Sequence, residues 1–526
     1  MKQLFSIFLA SASLCLFTNC SDADFSDKYA DPSKTSEVSC EKLMTGVFYA
    51  GKTFTTPEYW RIFTFDFQFL GRCAQTVGFI NEKGRYAGGG ETYFNDRWTH
   101  FYNTLAQYRL LEHTFNNLPE EKKDNYEIFV ILSQIFLYEQ LQEIIDLFGD
   151  VPFHEAGYLA LTGDVKTAYP FYEKAEDLYE MMLDDLAVIN DKLAGFEPSP
   201  LAGIYLPVQD YINKGDLVKW RKFANSLRLR MAMRIADNGS LTAKGRAILA
   251  EMLAATDKYP LVDNNDENSL IAADKDKFIV TKDSNTGIQS IESWAGSLNR
   301  ASKTMISALQ GDPRLEILYD PNSDGEYVGI DSQGSETEQN HLMERPTSEG
   351  GIYYSAIDTA TFSRNAEFPG LLITAAEVSF IKAEAFLKGY ATGNAQEAFE
   401  TAVTQSIDLY FRINATATYR QPTPKPTGND IAAFVTQKWE AYESKEEAVR
   451  VQKWLHFSLL DMIEAWNHIR RTGIPELTFT EDMESIEYPH VFQRLRYPTD
   501  ERNNNSDKYA AYQAEDSYYG KIFWAK

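Results

Sequence analysis

Cysteine, histidine and positive charge are all scarce in this chain, and each shortage closes a class of function. Of four cysteines in 526 residues, Cys15 and Cys20 fall in the first twenty positions; Cys40 and Cys73 remain, without metal-type spacing, and either pair or stay as thiols. The seven histidines, including His154, His456 and His468, show no zinc-type spacing. Acidic residues outnumber basic ones by 76 to 51, and at a net charge of −25 phosphate backbones and anionic surfaces are repelled, which argues against nucleic acid. GxSxG, HExxH, a phosphate loop and a dinucleotide fingerprint in its proper context are all missing, so no catalytic constellation stands out. Paired carboxylates such as Asp184 and Asp185 are ordinary on an acidic helix. Because glycosidase carboxylates have no sequence signature, a helical surface glycoside hydrolase stays open as an alternative to a non-enzymatic protein.

Aromatic residues, by contrast, are plentiful: 33 Phe, 30 Tyr and 8 Trp exceed what core filling demands of a helical protein, and the excess implies a surface that stacks on something. The N-terminus is equally informative. Lys2 supplies a positive start, and Leu4 to Phe17 form an apolar stretch too short to span a bilayer as a folded helix. The segment resembles a bacterial lipoprotein signal, in which residues 1–19 are removed and Cys20 becomes the acylated mature N-terminus. Leu16-Phe17-Thr18-Asn19 is a loose lipobox, since Asn19 stands where a smaller residue is usual; a plain secretory signal cleaved nearby is the alternative. Residues 20–36 read as a polar tether, and Ser21-Asp22-Ala23-Asp24 behind Cys20 look like an export signal of surface lipoproteins. The expected location is the outer membrane, lipid-anchored and facing outward. At about 0.8 kcal/mol per buried methylene, two or three acyl chains hold a protein on a membrane essentially for good.

From residue 37 the periodicity is mainly helical, so the fold class is expected to be all-α with minor β. A helix capped by Ser36 or Ser39 is expected to stop at Gly51, and the Gly-bearing stretch 52–93 reads as loop. Trp98, Phe101, Leu105 and Tyr108 mark one apolar helix face, and residues 125–148 are apolar nearly all round, as a central buried helix is. Residues 215–236 form the best-defined helix, capped by Asp216, with Trp220, Phe223, Leu227, Met231 and Ile235 on one side and Lys222, Arg228, Arg230 and Arg234 largely off it. Irregular insertions are expected at about 257–297 and 312–370, flanking a helix near 301–309; further helices follow at 371–388, 395–411, 430–442 and 445–471. Helix pairs with short turns recur without a fixed period, which describes a degenerate helix-pair array with loops inserted on one side.

The segments GDLVKWRKFANSLRLRMAMRIA (215–236), DLFGDVPFHEA (146–156), YPFYEKAEDLYEMMLDDL (169–186), GDPRLEILYDPNSDGEYVG (311–329), ITAAEVSFIKAEAFLKG (373–389) and EAWNHIRRTGIPEL (464–477) resemble, in order, the SusD/RagB-like outer-membrane lipoproteins, in particular the SusD_2-type branch. The resemblance implies a tetratricopeptide-type helix-pair fold on the cell surface that captures glycans or oligosaccharides. It implies as partner a TonB-dependent, SusC-like outer-membrane barrel, over which the protein sits as a hinged lid. Peptides or another non-glycan nutrient remain an alternative cargo. The best-matched motifs are structural, so the resemblance carries over no list of ligand contacts.

Sugar recognition needs flat apolar faces against C–H surfaces and amide, carboxylate or guanidinium groups for the hydroxyls. Loop aromatics are the natural candidates. Trp294 lies in the first insertion beside Glu292, Asn299 and Arg300; Tyr353 and Tyr354 follow a Gly pair in the second. Tyr59, Trp60 and Tyr86 fall in the early loop with Arg61, Arg72 and Asn81 nearby. For each, packing onto the helices is the competing role. Asp320, Asn322, Asp324 and Asp331 follow EF-hand spacing and form a weak Ca²⁺ candidate, but Pro321 is unusual and Asp324-Gly325 reads equally as a hairpin turn.

Overall fold

The computed structural model describes residues 39–88, 90–272, 300–344, 347–348 and 351–526. Its helices of ten residues or more are α1 (Cys40–Thr55), α2 (Glu91–Asn116), α3 (Glu127–Phe148), α4 (Ala175–Ala194), α5 (Pro200–Gln209), α6 (Leu217–Ile235), α7 (Thr242–Ala254), α8 (Ala375–Leu387), α9 (Ala395–Ala415), α10 (Gly428–Ala441), α11 (Lys445–Phe457) and α12 (Met462–Thr472). Among the described residues, strand is confined to two antiparallel pairs, β1 (Ser269–Ile271) with β4 (Gly370–Ile373) and β2 (Tyr319–Asp320) with β3 (Ala356–Ile357). The class is therefore mostly α with minor β, as its periodicity implies.

Caps explain most helix starts. Asp216 accepts from the N–H groups of Val218 and Lys219 at 3.0 and 3.1 Å, and Thr427 with Asp430 forms a capping box at α10. Helix α3 ends at Gly149, whose φ of 83° suits glycine, and is long and apolar enough to cross a membrane. Its apolar window is 89% buried, which makes it the core helix of this domain.

Four sequence expectations fail for identifiable reasons. Gly51 does not stop α1: a Cβ there would meet Phe136 at 2.4 Å and Gln140 at 2.6 Å, so the glycine serves a close crossing with α3. Residues 59–73, expected as loop, are helical, with wide π-type turns over Ile62–Leu70 that bury Phe65, Phe67 and Phe69. Residues 371–373 are strand, and Thr374 caps α8 behind them. Residues 445–471 are two helices, because Asp461 starts α12 by accepting from Glu464 N–H.

Helix α6 departs most from its amphipathic pattern. It packs against α3, α4, α7 and α8, so Arg228, Arg230 and Arg234 are buried too. Arg230 pairs with Glu377 at 2.6 Å and lies 4.0 Å from Glu139; Arg234 pairs with Glu464 at 2.5 Å and with Asp146 at 3.2 Å. Arg471 holds Glu384 and Asp237, and Arg450 also holds Glu384. Buried charges survive only when paired in this way. Burial opposes ionisation of Glu384 and Glu464, yet the arginines facing each hold its carboxyl below the ordinary range, Glu464 at about 2. Burial, followed by repulsion from Glu143, pushes Glu139 up to about 8.

Cys40 and Cys73 are free thiols, both buried, and burial raises them to about 11 and about 12. Neither is reactive in this state.

Candidate functional site

A cleft of about 900 Å³ opens between α1 and α2. Each wall follows from helical spacing: Gly46, Tyr49, Ala50 and Thr53 share one face of α1, and His100, Asn103, Ala106 and Gln107 share one face of α2. Small residues on both helices keep the space open. Tyr59 and Trp60, at the start of the bent helix 59–73, complete the lining together with Lys52 and Glu58.

Three rings give the cleft its character. Trp60 is 48% exposed and Tyr49 is 40% exposed, high values for residues of this size. Tyr59 stands edge-on to Trp60 with centroids 5.1 Å apart and stacks on Phe63 at 5.2 Å, while Trp60 leans on Tyr93 at 6.1 Å. The rings are therefore held from behind. Thr64 donates to the Trp60 carbonyl at 2.6 Å, and the carbonyl of Phe54 accepts from both Arg61 and Arg97. Arg61 in turn pairs with Asp66 at 3.3 Å and Asp461 at 3.7 Å, so the segment carrying Trp60 rests on the buried ionic layer.

The polar lining is nearly neutral. Lys52 lies 3.8 Å from Glu58 and 4.5 Å from the centre of the Tyr49 ring, so its charge is met within the cleft. Burial, reinforced by Arg97, lowers His100 to about 4; at pH 7 its imidazole is neutral and offers one donor and one acceptor. Burial and then Tyr93 raise the Tyr59 phenol, which keeps its proton. Asn103 and Gln107 add amides. Glu58 is the one carboxylate among the described lining residues. Such a cleft can stack flat rings and exchange hydrogen bonds with hydroxyls.

Of the residues singled out in the sequence, Tyr59 and Trp60 meet in this cleft, and Trp294 and Asn299 lie outside the described residues, as does Cys20. The others require correction. Tyr86 is buried and donates to the Thr480 carbonyl at 2.6 Å; Arg72, also buried, donates to the carbonyl of Arg85 and to Gln68. Tyr354 is buried in a small satellite core with Ile80 and Ile330, and Tyr353 packs against it partly covered. All four help to fix loops onto the body and none lines the cleft. The EF-hand spacing is likewise a turn: Asn322 accepts from the N–H groups of Asp324 and Glu326, and Gly325 has a φ of 81°. Asp320 is taken by Arg420 and Thr359, Asp324 by Ser348 and Asp331 by Lys303, so the four do not gather around a common point. Among the described residues no group of three or more His, Cys, Asp or Glu could hold a metal ion.

Sequence reasoning missed Tyr49, Lys52, Glu58, His100, Asn103 and Gln107. A signal existed in the three- and four-residue spacing of His100, Asn103 and Gln107, opposite the apolar face of α2.

The mostly helical scaffold is that of the SusD-like proteins. Residues 32–498 match the SusD-like_2 family, described as starch-binding associating with outer membrane, and the chain belongs to that family. Among solved structures, it is similar to a chitin-binding protein at 22% identity and a TM-score of 0.72, covering 92% of this chain and 99% of that one. A SusD homolog from Parabacteroides distasonis, at 19% identity and a TM-score of 0.68, covers 93% and 98%. A chitin-binding SusD homolog from Flavobacterium johnsoniae, at 20% identity and a TM-score of 0.66, covers 92% and 98%. These likenesses carry the fold. No curated protein is matched.

Proposed function

We propose that the chain is a non-enzymatic, cell-surface glycan-binding lipoprotein: the signal 1–19 is removed, Cys20 is acylated, and residues 20–36 tether the helical domain to the outer membrane. It captures an oligosaccharide in the α1/α2 cleft and delivers it to a TonB-dependent, SusC-like barrel. The observation that carries the binding reading is the pair of exposed rings, Trp60 and Tyr49, with half-buried Tyr59 beside them, sharing the cleft with uncharged donors and acceptors on His100, Asn103 and Gln107. Aromatic faces meet sugar C–H surfaces, and the neutral polar groups match hydroxyls without the desolvation cost of an ion. An affinity in the micromolar to millimolar range, about −8 to −4 kcal/mol, suits capture followed by release.

The test is retention of the protein on a panel of glycans, with peptides included, followed by Trp60→Ala on whichever ligand is retained. Loss of the ring is expected to weaken binding about tenfold, roughly 1.4 kcal/mol, with no product of lower mass formed. Undiminished affinity in Trp60→Ala moves the site elsewhere, and shortened saccharide would establish the hydrolase instead. Trp294→Ala, on the same ligand, asks whether the first insertion contributes.

A further inference from the structure

Helix α5 is apolar on every side and yet lies on the surface. Ala202 and Leu206 form its inner stripe, both buried; Ile204 and Val208, one turn apart on the outside, are 68% and 65% exposed, with Gly203 and Pro207 exposed beside them. Residues 198–209 contain no charged side chain, in a chain of net charge −25. Val218, 64% exposed at the start of α6, lies at the same end, since a Cβ on Gly215 would meet Leu206 at 2.9 Å. A helix hydrophobic all round is one that is covered on all sides, and at ten residues α5 is too short to span a bilayer.

Its neighbour indicates what covers it. Helix α5 packs on the first turns of α1, where Thr45 donates to Gln209 at 2.5 Å. That is where the described body meets the chain leading back to Cys20, which reaches at most about 65 Å even fully extended. The exposed face, formed by Gly203, Ile204, Pro207 and Val208, is aliphatic and uncharged, so it enters hydrocarbon without desolvating an ion. We propose that α5 lies in the plane of the membrane as a second foothold, with Ile204, Pro207 and Val208 entering the acyl boundary beside the lipidated N-terminus. The argument rests on the acylation of Cys20 proposed above for the choice of end; the apolar face stands without it.

The test uses the full chain with Ile204→Cys, labelled with an environment-sensitive fluorophore that cannot reach the buried thiols of Cys40 and Cys73. Phosphatidylcholine vesicles, plain or brominated along the acyl chains, are added to the acylated mature protein and to a Cys20→Ala counterpart made without residues 1–19, so that neither Cys15 nor the apolar signal is present. A blue shift and quenching by the brominated lipid in both proteins are expected, the unacylated one needing more lipid. Unchanged emission from acylated protein that floats with the vesicles overturns the proposal, as does a shift that grows with protein concentration and needs no lipid, which would indicate a second copy. Failure of the wild-type chain to carry acyl groups sinks the anchor alone, because the Cys20→Ala arm still reads α5. In the Cys20→Ala background, Ile204→Asp with Val208→Asp is expected to weaken vesicle binding about tenfold while leaving glycan retention intact; equal binding would also overturn the assignment.

Discussion

The cleft and the ionic layer behind it invert the usual distribution of side chains. In the layer, Arg230, Arg234, Arg471, Glu377, Glu384 and Glu464 are buried and charged; in the cleft, Trp60 and Tyr49 are aromatic and open to water. The single helix α2 serves both, with Arg97 pointing at Glu143 within the layer and His100 only three residues on in the cleft. The layer supplies rigidity, because each charge there depends on a partner. The cleft supplies contact, because its rings have little protein left to touch. Mutations in the two regions should therefore separate stability from binding.

Arg230→Met is expected to break this comparison hardest. It leaves Glu377 buried without its bidentate partner and should cost about 3–5 kcal/mol of stability, read as a fall in Tm, while the folded fraction keeps its ligand affinity. A parallel loss of affinity would show that the two regions are one unit. Gly51→Ala comes next, at up to about 3 kcal/mol, because the new methyl collides with Phe136 under the cleft wall; an unchanged Tm would mean that α1 and α3 have room to separate.

Glu139 sharpens the comparison through pH. With its carboxyl raised from 4.5 to about 8, it binds its proton more tightly folded than unfolded. The stability it contributes is thus complete below about pH 4.5 and lost as pH rises through about 8. Glu139→Gln, which imitates the protonated form, should flatten the stability profile between those limits by on the order of 1–2 kcal/mol. Denaturant unfolding at pH 5 and pH 9 checks this, and an unaltered difference would remove Glu139 from the account. Asn103→Ala gives the smallest effect: about 1 kcal/mol in ligand affinity by titration calorimetry, with Tm unmoved.

Much of the fold was legible because period and caps are local. The apolar face of α2, the all-round apolarity of α3 and the Asp216 cap needed no neighbours to be read. What failed depended on partners distant in sequence. Gly51 is a stop signal until Phe136 is placed beside it, and the arginines of α6 look solvated until Glu377 and Glu464 arrive from more than a hundred residues away. Helix α5 carries Pro207 inside it, a residue that in sequence argues against a helix. In the cleft, Tyr59 and Trp60 stood out as loop-like aromatics, whereas His100 and Gln107 gain meaning only when α1 faces α2. The same rule that found Trp60 also selected Tyr86 and Tyr354, since a ring in an irregular segment covers core as readily as it greets a ligand.

The internal neutrality of the cleft has a consequence for where such a surface could operate. Lys52 and Glu58 cancel each other, and His100 carries no charge at pH 7. Dissolved salt screens fields between ions but leaves ring stacking and neutral hydrogen bonds almost untouched. An uncharged cargo should then be gripped equally well in dilute and in saline surroundings, while polyanions feel the repulsion of the acidic body most strongly where salinity is lowest.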